Sequence, residues 1–216
     1  MKIMKTIIEK IDKNQKNTDI IREAGRILKE GGLVAFPTET VYGLGADALN
    51  EDAAKKIYAA KGRPSDNPLI IHITNMKALD KIVSEVPEKA VKVAEKYWPG
   101  PLTMIFNKSD IVPYGTTGGL DTVAVRMPVD EIAREVIDAG GGYIAAPSAN
   151  TSGRPSPTTA QHVAEDLTGR VDMIVDGGAV EIGVESTILD VTVEPPMILR
   201  PGAITKEMFE EVIGEV

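Results

Sequence analysis

Short apolar segments alternate irregularly with amphipathic helical segments over most of this chain of 216 residues. The apolar segments predict strands at residues 33–36, 69–73, 102–106, 122–127, 143–146, 173–176, 185–191 and 197–199. The amphipathic segments predict helices near residues 17–30, 50–60, 75–83, 87–97, 129–139, 158–168 and 205–213. Irregular alternation of this kind is typical of an α/β domain with a mixed sheet. The polar, lysine-rich residues 1–16 are predicted to form an N-terminal arm that adds one edge strand.

The connections between these elements are rich in hydroxyl groups, glycine and proline. They comprise residues 37–45, 61–68, 107–121 and 147–157. Most of them follow a strand or the end of a helix. If they cluster on one side of the sheet, they line a cleft, and loops held by a rigid scaffold are where binding side chains are concentrated.

The loop that begins at Lys61 contains two prolines, Pro64 and Pro68, and therefore cannot be regular structure. Each proline lacks a backbone donor and moves the preceding residue away from the helical region. The resulting stiff loop presents Lys61 and Arg63 beside short polar side chains such as Asn67. A point charge and a planar guanidinium fork suit a polyphosphate. A solvated, positively charged turn is the alternative, and the loop alone does not decide between them.

Composition narrows the possible functions. A net charge of −8 argues against a general nucleic-acid-binding protein, which usually carries a basic excess. The chain has no cysteine, which excludes disulfides and thiolate metal sites, and its two histidines, His72 and His162, are far apart in sequence. No apolar run reaches the roughly 18 residues of a membrane span. The first residues lack the features of a signal peptide, so the cytoplasm is the expected location.

Known nucleotide-binding motifs are absent or weak. The chain has no GxxxxGK[ST] phosphate loop. Residues 43–48 resemble a degenerate GxGxxA dinucleotide fingerprint, but the preceding strand is expected to end at Phe36 and the next helix to begin only after Asn50. We therefore expect any nucleotide to be bound by a different arrangement.

Two further arginines lie in or beside predicted strands, Arg126 before Met127 and Pro128, and Arg200 before Pro201. A buried arginine needs an anionic partner, because unpaired burial of its charge is costly. That partner is either an internal carboxylate or a bound anion, and both interpretations stay open here. Fixed cations and hydroxyl groups without an evident nucleophile are together typical of nucleotidyl or phosphoryl transfer.

A series of segments in a fixed order identifies a family. The segments are Phe36-Pro37-Thr38-Glu39-Thr40-Val41-Tyr42-Gly43-Leu44, Lys61-Gly62-Arg63-Pro64 with Asn67-Pro68-Leu69, Trp98-Pro99-Gly100-Pro101-Leu102-Thr103, Val125-Arg126-Met127-Pro128, Ser148-Ala149-Asn150 with Ser152-Gly153, Ser186-Thr187 and Leu199-Arg200-Pro201-Gly202. The chain resembles the YrdC-like family of threonylcarbamoyl-adenylate synthases from about Ile20 to Ile204. Each segment alone is weak, but their joint occurrence in order is highly specific.

The resemblance implies a YrdC-like α/β fold, a twisted mixed β-sheet flanked by helices with a large cleft. It implies that L-threonine, bicarbonate and ATP, with Mg²⁺ accompanying the ATP, give threonylcarbamoyl-AMP and pyrophosphate. The product serves the N6-threonylcarbamoyladenosine modification at position 37 of tRNA, so a threonylcarbamoyltransferase partner is expected, and direct tRNA binding is expected to be weak. Residues 1–216 are expected to form a single domain, without the additional C-terminal domain that some members carry.

Motif by motif, the resemblance also implies site residues. The threonine-binding positions match Thr40, His72, Arg126, Ser148 and Ser186. The ATP-binding positions match Arg63, Asn67, Thr122, Asn150, Thr158 and Arg200. Lys61 falls where the family places a cation near the phosphates and the carboxylated amine, so Lys61 and Arg63 are the expected catalytic residues. Arg126 would bind the substrate carboxylate bidentately. Pro147 replaces the threonine that typically precedes Ser-Ala-Asn, and we expect a small local change there without loss of activity.

Two other functions remain alternatives. A non-catalytic RNA-binding module would use the same cationic cleft, although the acidity and the 4% aromatic content leave little surface for base stacking. A carbamoyl-phosphate-dependent carbamoyltransferase, related to those of hydrogenase maturation, would carry Cys-rich and acylphosphatase segments that are missing from this chain.

Overall fold

The computed structural model describes residues 5–12 and 17–216. Its strands are β1 (Ile7–Lys10), β2 (Val34–Phe36), β3 (Gly43–Asp47), β4 (Ile70–His72), β5 (Leu102–Asn107), β6 (Thr122–Arg126), β7 (Ile144–Ala145), β8 (Met173–Asp176), β9 (Thr187–Asp190) and β10 (Met197–Arg200). Its helices are α1 (Thr18–Lys29), α2 (Glu51–Lys61), α3 (Leu79–Ile82), α4 (Glu88–Tyr97), α5 (Tyr114–Thr117), α6 (Glu131–Ala139), α7 (Ala160–Leu167) and α8 (Lys206–Ile213), with a 3₁₀ turn at Met76–Ala78. None of the helices in the described part of the chain is long and apolar enough to cross a membrane.

The described strands join into one sheet in the order β1-β8-β2-β3-β7-β4-β6-β5-β9-β10. Four neighbouring pairs are parallel, namely β1–β8, β2–β8, β4–β6 and β5–β9. The other pairs are antiparallel, namely β2–β3, β3–β7, β4–β7, β5–β6 and β9–β10. The predicted mixed α/β sheet is therefore confirmed. The predicted edge strand is also confirmed in β1, whereas residues 1–4 and 13–16 of the predicted arm lie outside the described residues.

Helices cover both faces of the half of the sheet that contains β2 and β8. Val34 and Phe36 of β2 pack with helices α1 and α6, while Ala35 between them belongs to a larger core on the other face. This alternation follows from the two-residue period of a strand, which sends successive side chains to opposite faces. Each face therefore has its own hydrophobic core.

The other half of the sheet has one core face and one face that lines a cleft. Ile71, Val125, Met104 and Leu189, on β4, β6, β5 and β9, belong to the larger core. The residues that alternate with them point to the opposite side and form the floor of the cleft. The functional side chains described below stand on this second face.

The prediction that residues 37–45 form a loop is wrong at its end, because Gly43–Asp47 is strand β3, paired with β2. Glycine disfavours strands, and this lowered the strand signal. Gly45 is required by packing, since a Cβ there would lie 2.6 Å from Cε1 of Phe36. The predicted 107–121 loop likewise contains a short helix, α5.

Candidate active site

A row of paired residues crosses five neighbouring strands on the floor of the cleft. His72 of β4 lies opposite Arg126 of β6, and Arg126 lies opposite Thr103 of β5. Thr103 lies opposite Ile188 of β9, which in turn lies opposite Arg200 of β10. Directly opposed residues share a face of the sheet. Strand register thus places side chains from distant parts of the chain side by side.

An irregularity in β10 determines which residue ends this row. Ile198 pairs with Leu189, but the register then shifts, so that Arg200 instead of Leu199 lies opposite Ile188. Bulges of this kind re-aim a side chain at the edge of a sheet. Here the shift brings the guanidinium of Arg200 to the cleft.

The cleft has a volume of about 270 Å³, and loops 37–42, 62–69, 146–151 and 177–186 complete it above the row. The sequence-predicted site residues that line it are Thr40, Arg63, Asn67, His72, Arg126, Ser148, Ser186 and Arg200. The predicted residues that do not line it are Lys61, Thr122, Asn150 and Thr158. Most of the predicted set therefore meets in one cavity.

Arg126 is the most deeply buried cation on the cleft floor, with 4% of its surface exposed. Its Nη1 donates to Thr40 Oγ1 at 2.8 Å, and its Nη2 lies 2.7 Å from Glu39 Oε1. Nε and Nη2 are buried without an aligned hydrogen bond. A parallel pair of N–H groups is the edge on which a guanidinium takes a carboxylate bidentately. Arg126 thus has an internal carboxylate partner and an edge available to a ligand.

A chain of hydroxyl groups fixes the acceptor that holds Arg126. The Thr38 hydroxyl donates to the carbonyl oxygen of Val41 at 2.7 Å. Thr38 Oγ1 and Thr40 Oγ1 lie 3.0 Å apart, so Thr40 is the donor in that contact and Thr38 the acceptor. Thr40 Oγ1 consequently faces Arg126 with a lone pair.

His72 lies beside Arg126 and is neutral. Burial, reinforced by the nearby charge of Arg126, lowers the pKa of His72 to about 3. Its Nδ1 lies 3.1 Å from the carbonyl oxygen of Ile70, which can only accept, so Nδ1 carries the proton. His72 therefore adds a polar group to the cleft without adding charge.

Arg200 is held by the segment that precedes β9. Its Nε donates to the Ser186 carbonyl oxygen at 2.9 Å, its Nη2 to Ser186 Oγ at 3.1 Å, and its Nη1 to Glu185 Oε2 at 2.6 Å. Ser186 Oγ lies 2.7 Å from Thr103 Oγ1. Burial lowers the pKa of Arg200, while Glu185 opposes that shift. Sequence reasoning missed Thr103 and Glu185 as site residues, because only the strand register reveals their partners.

Lys61 lies behind the cleft wall and is 2% exposed. Its Nζ donates to the carbonyl oxygens of Ser148 and Asn150, the second at 2.7 Å, and lies 3.4 Å from Asn150 Oδ1. Asn150 Nδ2 donates to two further carbonyl oxygens of the same loop, those of Thr151 and Arg154. Burial lowers the pKa of Lys61 to about 8, and the charge of Arg63 contributes. Lys61 and Asn150 together fix the backbone that carries Ser148.

Arg63 reaches the cleft from the loop between α2 and β4. Its Nη2 donates to the Pro68 carbonyl oxygen at 3.1 Å, and its Nε is buried without a partner. Burial lowers the pKa of Arg63, the side chain of which nevertheless stays charged. Asn67 is exposed at the mouth of the cleft, and its carbonyl oxygen accepts from the Tyr58 hydroxyl.

The two remaining predicted residues lie at the periphery. Thr122 is half-buried on the same face of β6 as Arg126, four residues along the strand and opposite Asn107. Thr158 is half-buried, and its carbonyl oxygen accepts from the amide of Val180 at 3.0 Å. Neither contacts the enclosed volume of the cleft.

Comparison with known proteins agrees with this geometry. The family model Sua5_yciO_yrdC, described as telomere recombination, matches residues 26–202. The chain is 58% identical to threonylcarbamoyl-AMP synthase of Pyrococcus abyssi over 196 residues, which is 91% of this chain and 58% of that protein. It is 52% identical to threonylcarbamoyl-AMP synthase of Bacillus subtilis over 217 residues, which is 100% of this chain and 63% of that protein.

The fold agrees equally well with a solved structure. The crystal structure of P. abyssi Sua5 complexed with L-threonine superposes with a TM-score of 0.95 at 55% identity, covering 98% of this chain and 62% of that chain. The chain thus spans about three-fifths of the length of these relatives. The resemblance stated from the sequence motifs is confirmed by a family match over most of the chain, and the protein belongs to the Sua5–YciO–YrdC family.

Proposed function

We propose that this chain forms threonylcarbamoyl-AMP and pyrophosphate from L-threonine, bicarbonate and ATP. The observation that carries the proposal concerns buried polar side-chain atoms without hydrogen bonds. Within the described residues, all of these atoms belong to Arg63, Arg126 and Glu39. Arg63 and Arg126 line the cleft, and Glu39 is the ion-pair partner of Arg126. Because an unsatisfied buried donor is costly, such donors at a cleft surface favour a ligand with anionic oxygens.

We assign the deep end of the cleft to L-threonine. Arg126 would take the carboxylate on its Nε–Nη2 edge, and neutral His72 would contact the amino acid without repelling its ammonium group. Thr40, Ser148 and Ser186 supply hydroxyl groups around the same volume. The names of the relatives and the L-threonine bound by P. abyssi Sua5 support this assignment.

We assign the outer part of the cleft to ATP. Arg63 and Arg200 would contact phosphates, with Asn67 at the mouth. The enclosed volume of about 270 Å³ lies near the lower end of the roughly 300–1,000 Å³ typical of ligand pockets. Part of the nucleotide would therefore rest outside the enclosed volume. Thr122, at the start of β6, and Thr158 complete the proposed ATP-binding set there.

The proposed reaction proceeds in two steps. The threonine amine, after losing a proton, attacks bicarbonate-derived carbon and forms an N-carboxylate with release of water. A carboxylate oxygen then attacks the α-phosphorus of ATP, the bond from phosphorus to the bridging oxygen breaks, and pyrophosphate leaves. Arg63 would stabilise the charge that develops on the phosphates. Lys61 would act through the loop that it holds, because its donors already bind carbonyl and amide oxygens.

Three finer assignments complete the proposal. Mg²⁺ would enter as part of the ATP substrate, since this ion binds the phosphate oxygens of nucleotides. A tRNA-modifying threonylcarbamoyltransferase would accept the product, because an acyl adenylate is reactive. Modification of tRNA would place the activity in the cytoplasm.

The test is pyrophosphate release from ATP and Mg²⁺, measured with and without L-threonine and bicarbonate. Release that requires both substrates is the expected result. Release that requires carbamoyl phosphate instead would replace the proposal with the carbamoyltransferase alternative. A folded protein that releases no pyrophosphate under any of these conditions would contradict it and favour the RNA-binding alternative.

A further inference from the structure

We propose that Glu39 is a positioning residue, which orients Arg126 toward the carboxylate of the amino-acid substrate. This inference rests on the function proposed above and extends it to a residue that does not line the cleft. The ion pair between Glu39 and Arg126 is almost fully enclosed, with 4% and 5% of the two side chains exposed. A buried ion pair is an uncertain source of stability, so its presence here calls for another role.

The geometry anchors Arg126 on two sides through adjacent residues of one loop. Thr40 holds Nη1 at 2.8 Å, and Glu39 lies 2.7 Å from Nη2. The loop itself is fixed, because the amides of Ile182 and Gly183 donate to the carbonyl oxygens of Glu39 and Thr40 at 2.9 and 3.0 Å. Neither anchor satisfies Nε. The guanidinium therefore has a fixed orientation, with Nε and the second N–H of Nη2 left as an edge for a ligand.

Glu39 is absent from the lining of the cleft. It lines a second cavity, of about 700 Å³, together with Ile21, Ile132 and Glu135. A substrate in the cleft can therefore bind Arg126 without displacing Glu39. Both carboxylate oxygens of Glu39 are buried without an aligned hydrogen bond, so the carboxylate acts on Arg126 chiefly through charge.

Each of the two arginines in the row has a carboxylate partner of its own. Glu39 pairs with Arg126, and Glu185 accepts from Arg200 Nη1 at 2.6 Å. Removing the charge of Glu39 therefore acts on Arg126 and leaves the Glu185–Arg200 pair of the nucleotide end in place.

The test is the Glu39→Gln variant, assayed for threonine-dependent pyrophosphate release. Glutamine keeps the size of the side chain and removes its charge. We expect the KM for L-threonine to rise by about tenfold or more, the scale of a misplaced binding group, while the KM for ATP changes by less than about twofold. The matched control is Glu135→Gln, which removes a carboxylate from the same second cavity at a residue exposed to solvent. Its KM values for both substrates are expected to equal those of the unmodified protein.

Several outcomes would overturn the inference. Equal rises in both KM values would indicate a general structural role, and unchanged values would show that Glu39 does not position Arg126. A lower KM for L-threonine would show that Glu39 competes with the substrate for Arg126. An equal rise of the KM for L-threonine in Glu135→Gln would show that the rise comes from the total charge of the second cavity and not from Glu39 in particular.

A second variant covers the case in which Glu39→Gln does not fold. Glu39→Asp keeps the charge but withdraws it by one methylene group, so the KM for L-threonine should rise less, with the KM for ATP again unchanged. An unaltered KM for L-threonine in a folded Glu39→Asp protein would contradict the proposal. Failure of the unmodified protein to use threonine would instead contradict the proposed function, which keeps the two failures distinct.

Discussion

At the scale of single residues, the cleft separates charges that bind ligands from a charge that supports a loop. Arg63 and Arg126 keep buried donors unpaired at the cleft, whereas Lys61 donates to oxygens of Ser148 and Asn150. The resemblance implied that Lys61 and Arg63 form one catalytic pair. The structure gives them different surroundings, and their contributions should therefore differ.

Lys61 should make kcat fall at high pH, so that the profile of kcat against pH has a descending basic limb. Its pKa of about 8 means that the ammonium loses a proton as the pH rises through that value, leaving two N–H donors for three acceptors. Loop 148–150 then loosens, so we expect kcat to fall above about pH 8. The Lys61→Arg variant stays protonated and should lack this limb whatever its absolute rate. A basic limb of equal position in both proteins would contradict this role of Lys61.

The same titration of Lys61 should affect stability in the opposite direction. As the pH rises, kcat falls, but the contribution of Lys61 to the free energy of unfolding increases. The pKa of Lys61 is lowered on folding, so between about pH 8 and 10.5 the unfolded chain binds more protons than the folded chain. The contribution of Lys61 to the free energy of unfolding therefore rises with pH in that window. Urea unfolding of the protein and of Lys61→Met should show this rise only where the lysine is present. A falling contribution would show that its hydrogen bonds outweigh burial.

At the scale of elements, strand β3 depends on the absence of a side chain at Gly45. An added Cβ would lie 2.6 Å from Cε1 of Phe36 and 3.0 Å from Cγ2 of Ile144. Overpacking of this kind costs about 1–3 kcal/mol, so Gly45→Ala should lower the free energy of unfolding by that amount. Gly43→Ala meets its nearest atom at 3.2 Å and should cost less. Urea unfolding measures both, and equal losses would contradict the packing argument.

This glycine also shows how much of the fold was predictable. Strand β6, built mainly from branched apolar residues, was predicted over 122–127 and is found at Thr122–Arg126, because its apolar pattern is strong. From the sequence alone, strand β3 is predicted to be a loop, because glycine disfavours strands. Its glycines are needed because residues of the neighbouring strands β2 and β7 pack closely against them. Propensity describes the residue itself, whereas packing depends on residues far away in the chain.

The same distinction holds for the candidate site. Most of the site residues that the resemblance implied line the cleft, since each motif is local. The contacts among them are not local. Arg126 and Thr40 are 86 residues apart, and Thr103 and Ser186 are 83 apart. Glu39 stood within a recognised motif, but its pairing with Arg126 becomes visible only once β6 and the loop after β2 are placed together.

At the scale of the whole molecule, a cationic cleft lies within a chain of net charge −8. At physiological salt, screening limits the electrostatic field of the cleft's cations to a range of about 8 Å. A field of this range suits a small polyphosphate better than a long nucleic acid. We expect unmodified tRNA at micromolar concentration to leave the KM for ATP unchanged at 0.15 M salt. Competition by tRNA that weakens steeply with added salt would favour the RNA-binding alternative.

The row of residues across β4, β6, β5, β9 and β10 has a consequence for how the gene can change. A substitution alters one group, and its neighbours keep their places. Deleting or inserting a single residue within β6 would shift the rest of the strand by one position and send each side chain to the other face. Val125 would then enter the cleft, and Arg126 would turn toward the core. Length changes should therefore be confined to the connecting loops in any descendant that keeps the activity, however far its sequence has diverged.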